Sequence, residues 1–342
     1  MNHYRIGPND AGAVRTLFVA LALTLMSYAA GTAQPEGTEV SEAKAGAPIA
    51  VQERRMELSG CAAVDGGVLV VEDELIGAVL LLENTARRPL VLSTVKLERK
   101  KKARAPFAEA FKLFPFQDFE DIASDGASAV YLIGSHHGKE GERRPDREFL
   151  FRAEWDAKGR ELKVVGEQYR LLDLIAPVLD ELGCGIGLTA TEASSALNLE
   201  GLALHGETLY IGLRSPLTPA GNAIVLSGPA EAVMAGSAPL EASAIDLGGS
   251  GVRALDWDPV RGVLLVLSGP SSDRPDGDAV STLSGFDPVT GTRTDILTFA
   301  PEIAGKSPEG VCRLPQDSGG KLLVVLDGEG SEKGAEFIEI DG

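Results

Sequence analysis

Five times along this chain a polar residue leads into a short apolar strand, a tight turn, and a second apolar strand that ends in charge. The copies are MELSGCAAVDGGVLVVEDE from Met56, DFEDIASDGASAVYLIGSHH from Asp118, NLEGLALHGETLYIGLRSP from Asn198, SGVRALDWDPVRGVLLVLSGP from Ser250 and SPEGVCRLPQDSGGKLLVVLDGEG from Ser307. Aligned on Gly60, Asp121, Gly201, Ala254 and Gly310, they stand 61, 80, 53 and 56 residues apart. A unit this small cannot bury both faces of its own sheet, so neighbouring copies must stack. Propeller blades run about 40–50 residues in regular families, and the spacings here read as blades with insertions. A β-sandwich would explain the strand alternation, but not a shared polar start at blade-length intervals.

Each copy is followed by a further strand candidate: AVLLLE at Ala78, EFLFRAEW at Glu148, NAIVLS at Asn222, LSGFDP at Leu283 and EFIEI at Glu336. The unit is read as a four-stranded meander. The last copy reaches Gly342 with three strands, while APIAVQER (47–54) is a free strand able to complete it and close the ring, hiding sheet edges that would otherwise aggregate. The expected fold is an all-β β-propeller forming one domain over residues 47–342, with five blades. Six is the alternative if the long second copy conceals another. That long gap holds LLDLIAPVLDELG (171–183), whose i, i+3, i+4 apolar spacing predicts one short helix.

Ahead of the repeats, Arg5 and Arg15 precede the short apolar run LFVALALTLM, and small residues follow up to Ala33. Residues 1–33 read as a Sec-type signal peptide cleaved after Ala33, and residues 34–46 as a Pro/Gly/Glu-rich linker. The apolar run falls short of the ~20 residues that span a bilayer. The expectation is a periplasmic or secreted protein with no transmembrane segment once the signal is removed. The whole chain carries 32 Lys+Arg against 50 Asp+Glu, a formal charge of −18. Such a balance argues against nucleic acid as a partner, since phosphate neutralisation needs a basic face. RKKKAR (99–104) is the one basic run, read as a solvated inter-blade loop. Three cysteines cannot form a full disulfide framework. Cys61 and Cys312 lie one residue apart when the copies are aligned on Gly60 and Gly310, on opposite faces of equivalent strands, and both are expected to be buried free thiols.

In a propeller, residues just before the first strand and just after the second share one rim of the central channel. The strand starts there are Glu57, Glu120, Asp121, Glu200, Arg253 and Glu309, and the strand ends are Asp73, His136, His137, Arg214, Ser268 and Asp327. Glu120, Glu200 and Glu309 converging on one axis could not all stay ionised without a compensating cation, which makes them candidate ligands for a hard ion such as Ca²⁺. The competing reading pairs them with Arg214 and Arg253. His136, Arg214 and Arg253 form the positive half and are the catalytic candidates, because arginine's planar fork suits a phosphate or carboxylate. Asp73, Asp121, His137, Ser268 and Asp327 complete the rim as ligand contacts. Arg143, Arg144 and Arg147 read as a solvated turn, and Trp155 and Trp257 as packing residues. The expectation is a binder of a small polar or anionic molecule, with Ca²⁺-assisted phosphoester or ester hydrolysis as its catalytic form. The alternative is a non-catalytic propeller that scaffolds another envelope protein. No GxSxG, HExxH or GxxxxGK(S/T) motif occurs.

NLEGLALHGETLYIGLRSP, GVRALDWD with LLVLSGP, and SPEGV with LLVVLDG resemble the uncharacterised bacterial domain-of-unknown-function family 3616, and YLIGSHHGKEGERRPDREFLFR resembles its Ser-His blade. GLRSP and SHHGK are the most specific parts, although His137 stands where that family's Ser-His step continues with Ser. The resemblance covers about residues 57–330 and implies a propeller with no established activity, and the family is also similar to more distant exported propellers described as phytase-like or esterase-like.

Overall fold

A computed structural model describes residues 49–50, 56–73, 78–83, 91–99, 116–138, 144–184, 197–237, 239–271, 280–314, 320–327 and 336–341. The expected signal peptide and linker, most of RKKKAR, and Arg143 lie outside these residues.

The described strands alternate with turns in the order the repeats predict. Strands β2 (Leu58–Val64), β3 (Gly67–Glu72), β4 (Ala78–Glu83) and β5 (Val91–Arg99) form one antiparallel meander. A second comprises β6 (Phe119–Ser124), β7 (Ala129–Gly134), β8 (Leu150–Asp156) and β9 (Glu161–Gln168). Parallel pairing of β5 with β9 joins these two into one eight-stranded sheet. Four-stranded sheets follow from β10 (Asn198–His205), β11 (Thr208–Ser215), β12 (Ala223–Pro229) and β13 (Glu241–Ile245), and from β14 (Gly251–Asp258), β15 (Val263–Gly269), β16 (Thr282–Asp287) and β17 (Thr292–Thr298). In the last, β18 (Pro308–Arg313), β19 (Leu322–Leu326) and β20 (Glu336–Ile340) are extended by β1 (Ile49–Ala50), with Ile49 opposite Phe337.

Successive first strands pack on one another, β2 on β6, β6 on β10, β10 on β14, β14 on β18, and β18 back on β2. Each junction has its own apolar cluster, such as Val71, Ile122 and Phe149 between the first two meanders. Leu265, Val311 and Ile338 lie between the last two. Second strands are consequently buried on both faces, which explains unbroken apolar runs such as Leu322–Leu326. Fourth strands β13 and β17 are largely exposed and polar. The fold is all-β and propeller-like. The expected helix is present as α1 (Leu171–Glu181), whose Leu171, Ile175 and Leu179 fill the cluster beside β10. Short helices α2 (Ala230–Ala235) and α3 (Pro301–Ala304) complete the described elements.

The cysteine expectation is overturned: Cys61 and Cys312 form a disulfide, with Cα atoms 5.6 Å apart and a sequence separation of 251. Both are fully buried. The one-residue offset does place them on opposite faces of equivalent strands. Neighbouring sheets of a ring present opposite faces to each other, however, so the offset brings the two sulfurs together between β2 and β18 instead of separating them.

Candidate functional site

Every first strand carries a register shift at the same place. The pairing skips one residue between Leu58 and Gly60, Phe119 and Asp121, Leu199 and Gly201, Val252 and Ala254, and Pro308 and Gly310. A bulge leaves its extra residue outside the ladder and re-aims that side chain. The five residues so displaced are Ser59, Glu120, Glu200, Arg253 and Glu309, and all of them line one cavity of about 340 Å³. Residues two places earlier, Glu57, Asp118, Asn198 and Ser307, line it as a second layer, as period-2 alternation requires. Asp73, Asp327, Ser135, His137, Arg147 and Arg214 complete the polar wall.

Glu200 is the hub. It is 3% exposed. Its Oε1 accepts from Arg214 Nη1 at 2.7 Å and Asn198 Nδ2 at 2.8 Å, and its Oε2 accepts from Arg253 Nη1 at 2.7 Å. The second Arg253 amino group donates to Glu309, and Arg214 Nε donates to the Pro270 carbonyl at 3.1 Å. Burial opposes the charge on Arg253, yet the surrounding Glu200 and Glu309 carboxylates hold its guanidinium well above the ordinary value. Arg214 escapes the β10 pairing through a second register shift, between Asn198 and Leu199.

The acidic side is different in kind. Burial, and then Glu200, Asp118 and Glu309, push the Glu120 carboxyl well above the usual carboxylate range. Burial raises Asp73 to about 7, with Glu57, Asp118, Glu72 and Asp327 adding to it. Glu309 rises to about 8 through burial, against the pull of Arg253. Asp118 is raised by burial although the Ser135 hydroxyl donates to it and Arg147 Nη1 stands 3.1 Å from its Oδ2. Asp118 and Ser307 occupy left-handed backbone, φ 66° and 48°, at equivalent entries to β6 and β18. Non-glycine residues in that region mark sites where the surroundings fix the conformation.

The expected site residues fall in different surroundings. Glu120, Glu200 and Glu309 reach the cavity together, but Arg253 spans the latter two, and among the described residues no group of three or more His, Cys, Asp or Glu side chains is placed to hold a metal ion. Asp121 does not reach the rim. With Glu120 in the bulge, the next side chain turns into the ring, where Asp121 is fully buried and accepts from the backbone of Ile122, Leu202 and Leu255 at 2.8, 2.7 and 3.2 Å. Ser268 is also fully buried, sharing a hydrogen bond with the Thr282 hydroxyl at 2.7 Å inside its sheet. His136 lies off the cavity: β7 ends at Gly134, the chain turns at His136 with φ 56°, and its Nδ1 is 2.8 Å from the Gly134 carbonyl. His137 faces the cavity instead, its Nδ1 3.2 Å from the Leu197 carbonyl. Of the turn arginines, Arg144 pairs with Asp146 at 2.8 Å, whereas Arg147 belongs to the site.

Sequence reasoning passed over Ser59, Asp118, Ser135, Arg147, Asn198 and Ser307 as cavity residues. Stacking ELSG, DFED, NLEG and SPEG residue by residue exposes most of that signal, a polar residue at the first and third positions around a buried apolar second. A larger cavity of about 960 Å³ lies among the turns of the opposite end, between Asp65, Gly126, His205 and Trp257. Several of its polar groups have local partners: Asp125 accepts from the backbone N–H groups of Ala127 and Ala129, and Asp256 from that of Arg313. Both cavities draw on equivalent positions of all five repeats, and the smaller is the one walled mostly by ionisable side chains.

The family described as "Protein of unknown function (DUF3616)" matches residues 181–337, bearing out the resemblance carried by GLRSP and SPEGV, while SHHGK lies outside the matched span. No curated protein matches the chain. Among solved structures, the chain is similar to a Lactobacillus plantarum protein from structural genomics, at 14% identity and TM-score 0.35 over 81% of this chain and 60% of that one. A luciferin-regenerating enzyme matches at 9% identity and TM-score 0.38, over 82% of this chain and 72% of the other. The chain spans about 60% of the length of the first of these. No helix among the described residues is long and apolar enough to cross a membrane.

Proposed function

We propose that this is an exported five-bladed propeller, closed by β1, whose bulge-lined cavity binds a small polar molecule. The observation that carries the reading is the repeated bulge: five equivalent positions, each displaced from its ladder, supply Ser59, Glu120, Glu200, Arg253 and Glu309 to one space. A volume of about 340 Å³ is at the lower end of small-molecule sites, which run from roughly 300 Å³ upward. Binding is favoured over hydrolysis because the expected catalytic group is not assembled: His136 lies off the cavity, and Arg214 and Arg253 are engaged by Glu200 and Glu309. A bare Ca²⁺ ion is a poor match, since the carboxyls that would ligate it are spread around the wall or paired with arginine. The buried disulfide fits an oxidising compartment, as the N-terminal signal predicts.

Thermal melts of the mature protein against a set of amines, polyols, carboxylates, phosphate esters and Ca²⁺ test the reading. A ligand that binds only the folded state raises the melting temperature with concentration. A rise for at least one probe, abolished by substitution at Glu120, is the expected result; no rise for any probe contradicts it. Mass analysis of the protein recovered from the periplasm should give an N-terminus at Gln34.

A further inference from the structure

The cavity's hydrogen-bonding capacity is lopsided. Most of its donors are committed: two Arg253 amino groups, Arg214 Nη1 and the Asn198 amide have acceptors inside the wall and Arg214 Nε donates to the Pro270 carbonyl, while Arg147 Nε has no partner among the described residues. Its acceptors are not. Asn198 is 6% exposed, and with Nδ2 donated to Glu200 its Oδ1 has no hydrogen-bond partner among the described residues. Asp73 Oδ1 is buried and has none either, and the Glu120 side chain forms no ion pair or hydrogen bond there. A buried acceptor without a donor is costly, so a ligand that supplies donors is favoured at this spot. Backbone hydrogen bonds run from Asp118 to the Asp73 carbonyl at 2.8 Å, from Ser135 to the Asp118 carbonyl at 3.3 Å and from Leu199, beside Asn198, to the Ser135 carbonyl at 2.9 Å, which sets these acceptors on adjacent stretches of the wall.

Building on the binding role above, we infer that the ligand carries an ammonium group, seated against Glu120, Asp73 and the Asn198 carbonyl oxygen. An ammonium offers three donors and no acceptor, matching three unfilled acceptors, and its charge offsets a wall in which carboxyls outnumber guanidiniums. An anion would instead have to take Arg214 or Arg253 from partners that already hold them. A volume of about 340 Å³ leaves room for an aliphatic or hydroxylated body behind the ammonium.

Calorimetric titration of the mature protein with 1,4-diaminobutane, ethanolamine, glycerol and inorganic phosphate tests the inference. The amines should bind and phosphate should not, and Glu120→Gln should weaken amine binding by about ten- to a hundredfold, as expected for loss of a charge-assisted hydrogen bond. Asp73→Asn is the second variant, to be used if Glu120→Gln does not fold, with weakening in the same sense. Phosphate or glycerol binding without amine binding overturns the ammonium assignment and leaves the cavity a ligand site. Amine binding unchanged in both variants also overturns it. Binding by no probe removes the ligand site itself.

Discussion

Asp73 shows how a single residue ties the cavity to stability. Its carboxyl sits near 7 in the folded protein against an ordinary 3.8, because burial and the surrounding carboxyls disfavour its charge. The folded state therefore keeps a proton that the unfolded chain releases, and stability from this group is fully present below about 3.8 and lost as pH rises through 7. Glu309, near 8, acts in the same direction. The melting temperature should fall between pH 5 and pH 8.5, and Asp73→Asn, which cannot ionise, should flatten that slope; an unchanged slope in the variant would show that Asp73 is not responsible. The sequence made Asp73, Glu120, Glu200, Arg253 and Glu309 legible as rim residues because ionisable groups recurred at strand ends. It could not show that Asp121, next to Glu120, turns inward. That depends on a bulge, and a bulge is a relation between two strands that no single strand's pattern contains.

At the scale of the element, the bulge and the glycine after it act together. Gly60, Gly201 and Gly310 directly follow the displaced residue, and at Gly60 and Gly310 the backbone of a neighbouring first strand stands close by. A Cβ on Gly310 would lie 2.5 Å from Val325 Cγ2 and 2.7 Å from the Gly60 Cα, and the second of these is backbone that cannot turn aside. Gly310→Ala should cost about 1–3 kcal/mol by overpacking, read by denaturant unfolding, whereas Gly262→Ala in an open turn tests only the local φ of 66°. Equal effects on ligand binding from both substitutions would argue against a coupling between ring packing and the cavity. These strands were readable from their apolar runs, and α1 from its spacing. The fourth strands were not, because β13 and β17 are exposed and carry little apolar pattern.

Over the whole molecule, the first and last repeats meet in two ways: β18 packs on β2, and Cys61 is bonded to Cys312. A crosslink spanning 251 residues restricts the unfolded chain strongly. Replacing both cysteines with serine should lower stability by about 2–5 kcal/mol without abolishing ligand binding, measured by unfolding and titration on the same preparation. No loss of stability would mean that the bond does not close the ring in solution. The ring was visible in the spacing of the copies. Its covalent closure was misread because strand faces were compared as if equivalent sheets were superposed, whereas neighbouring sheets face one another.

The central claim, that five bulged positions form one ligand site, is tested most directly by a crystal structure of the mature protein grown with the tightest-binding amine. The account predicts ligand density touching Glu120 and Asp73, with Glu200 still bridged to Arg214 and Arg253. Density lodged instead among the opposite turns near Trp257, or first strands that pair without the skipped residue, would contradict it.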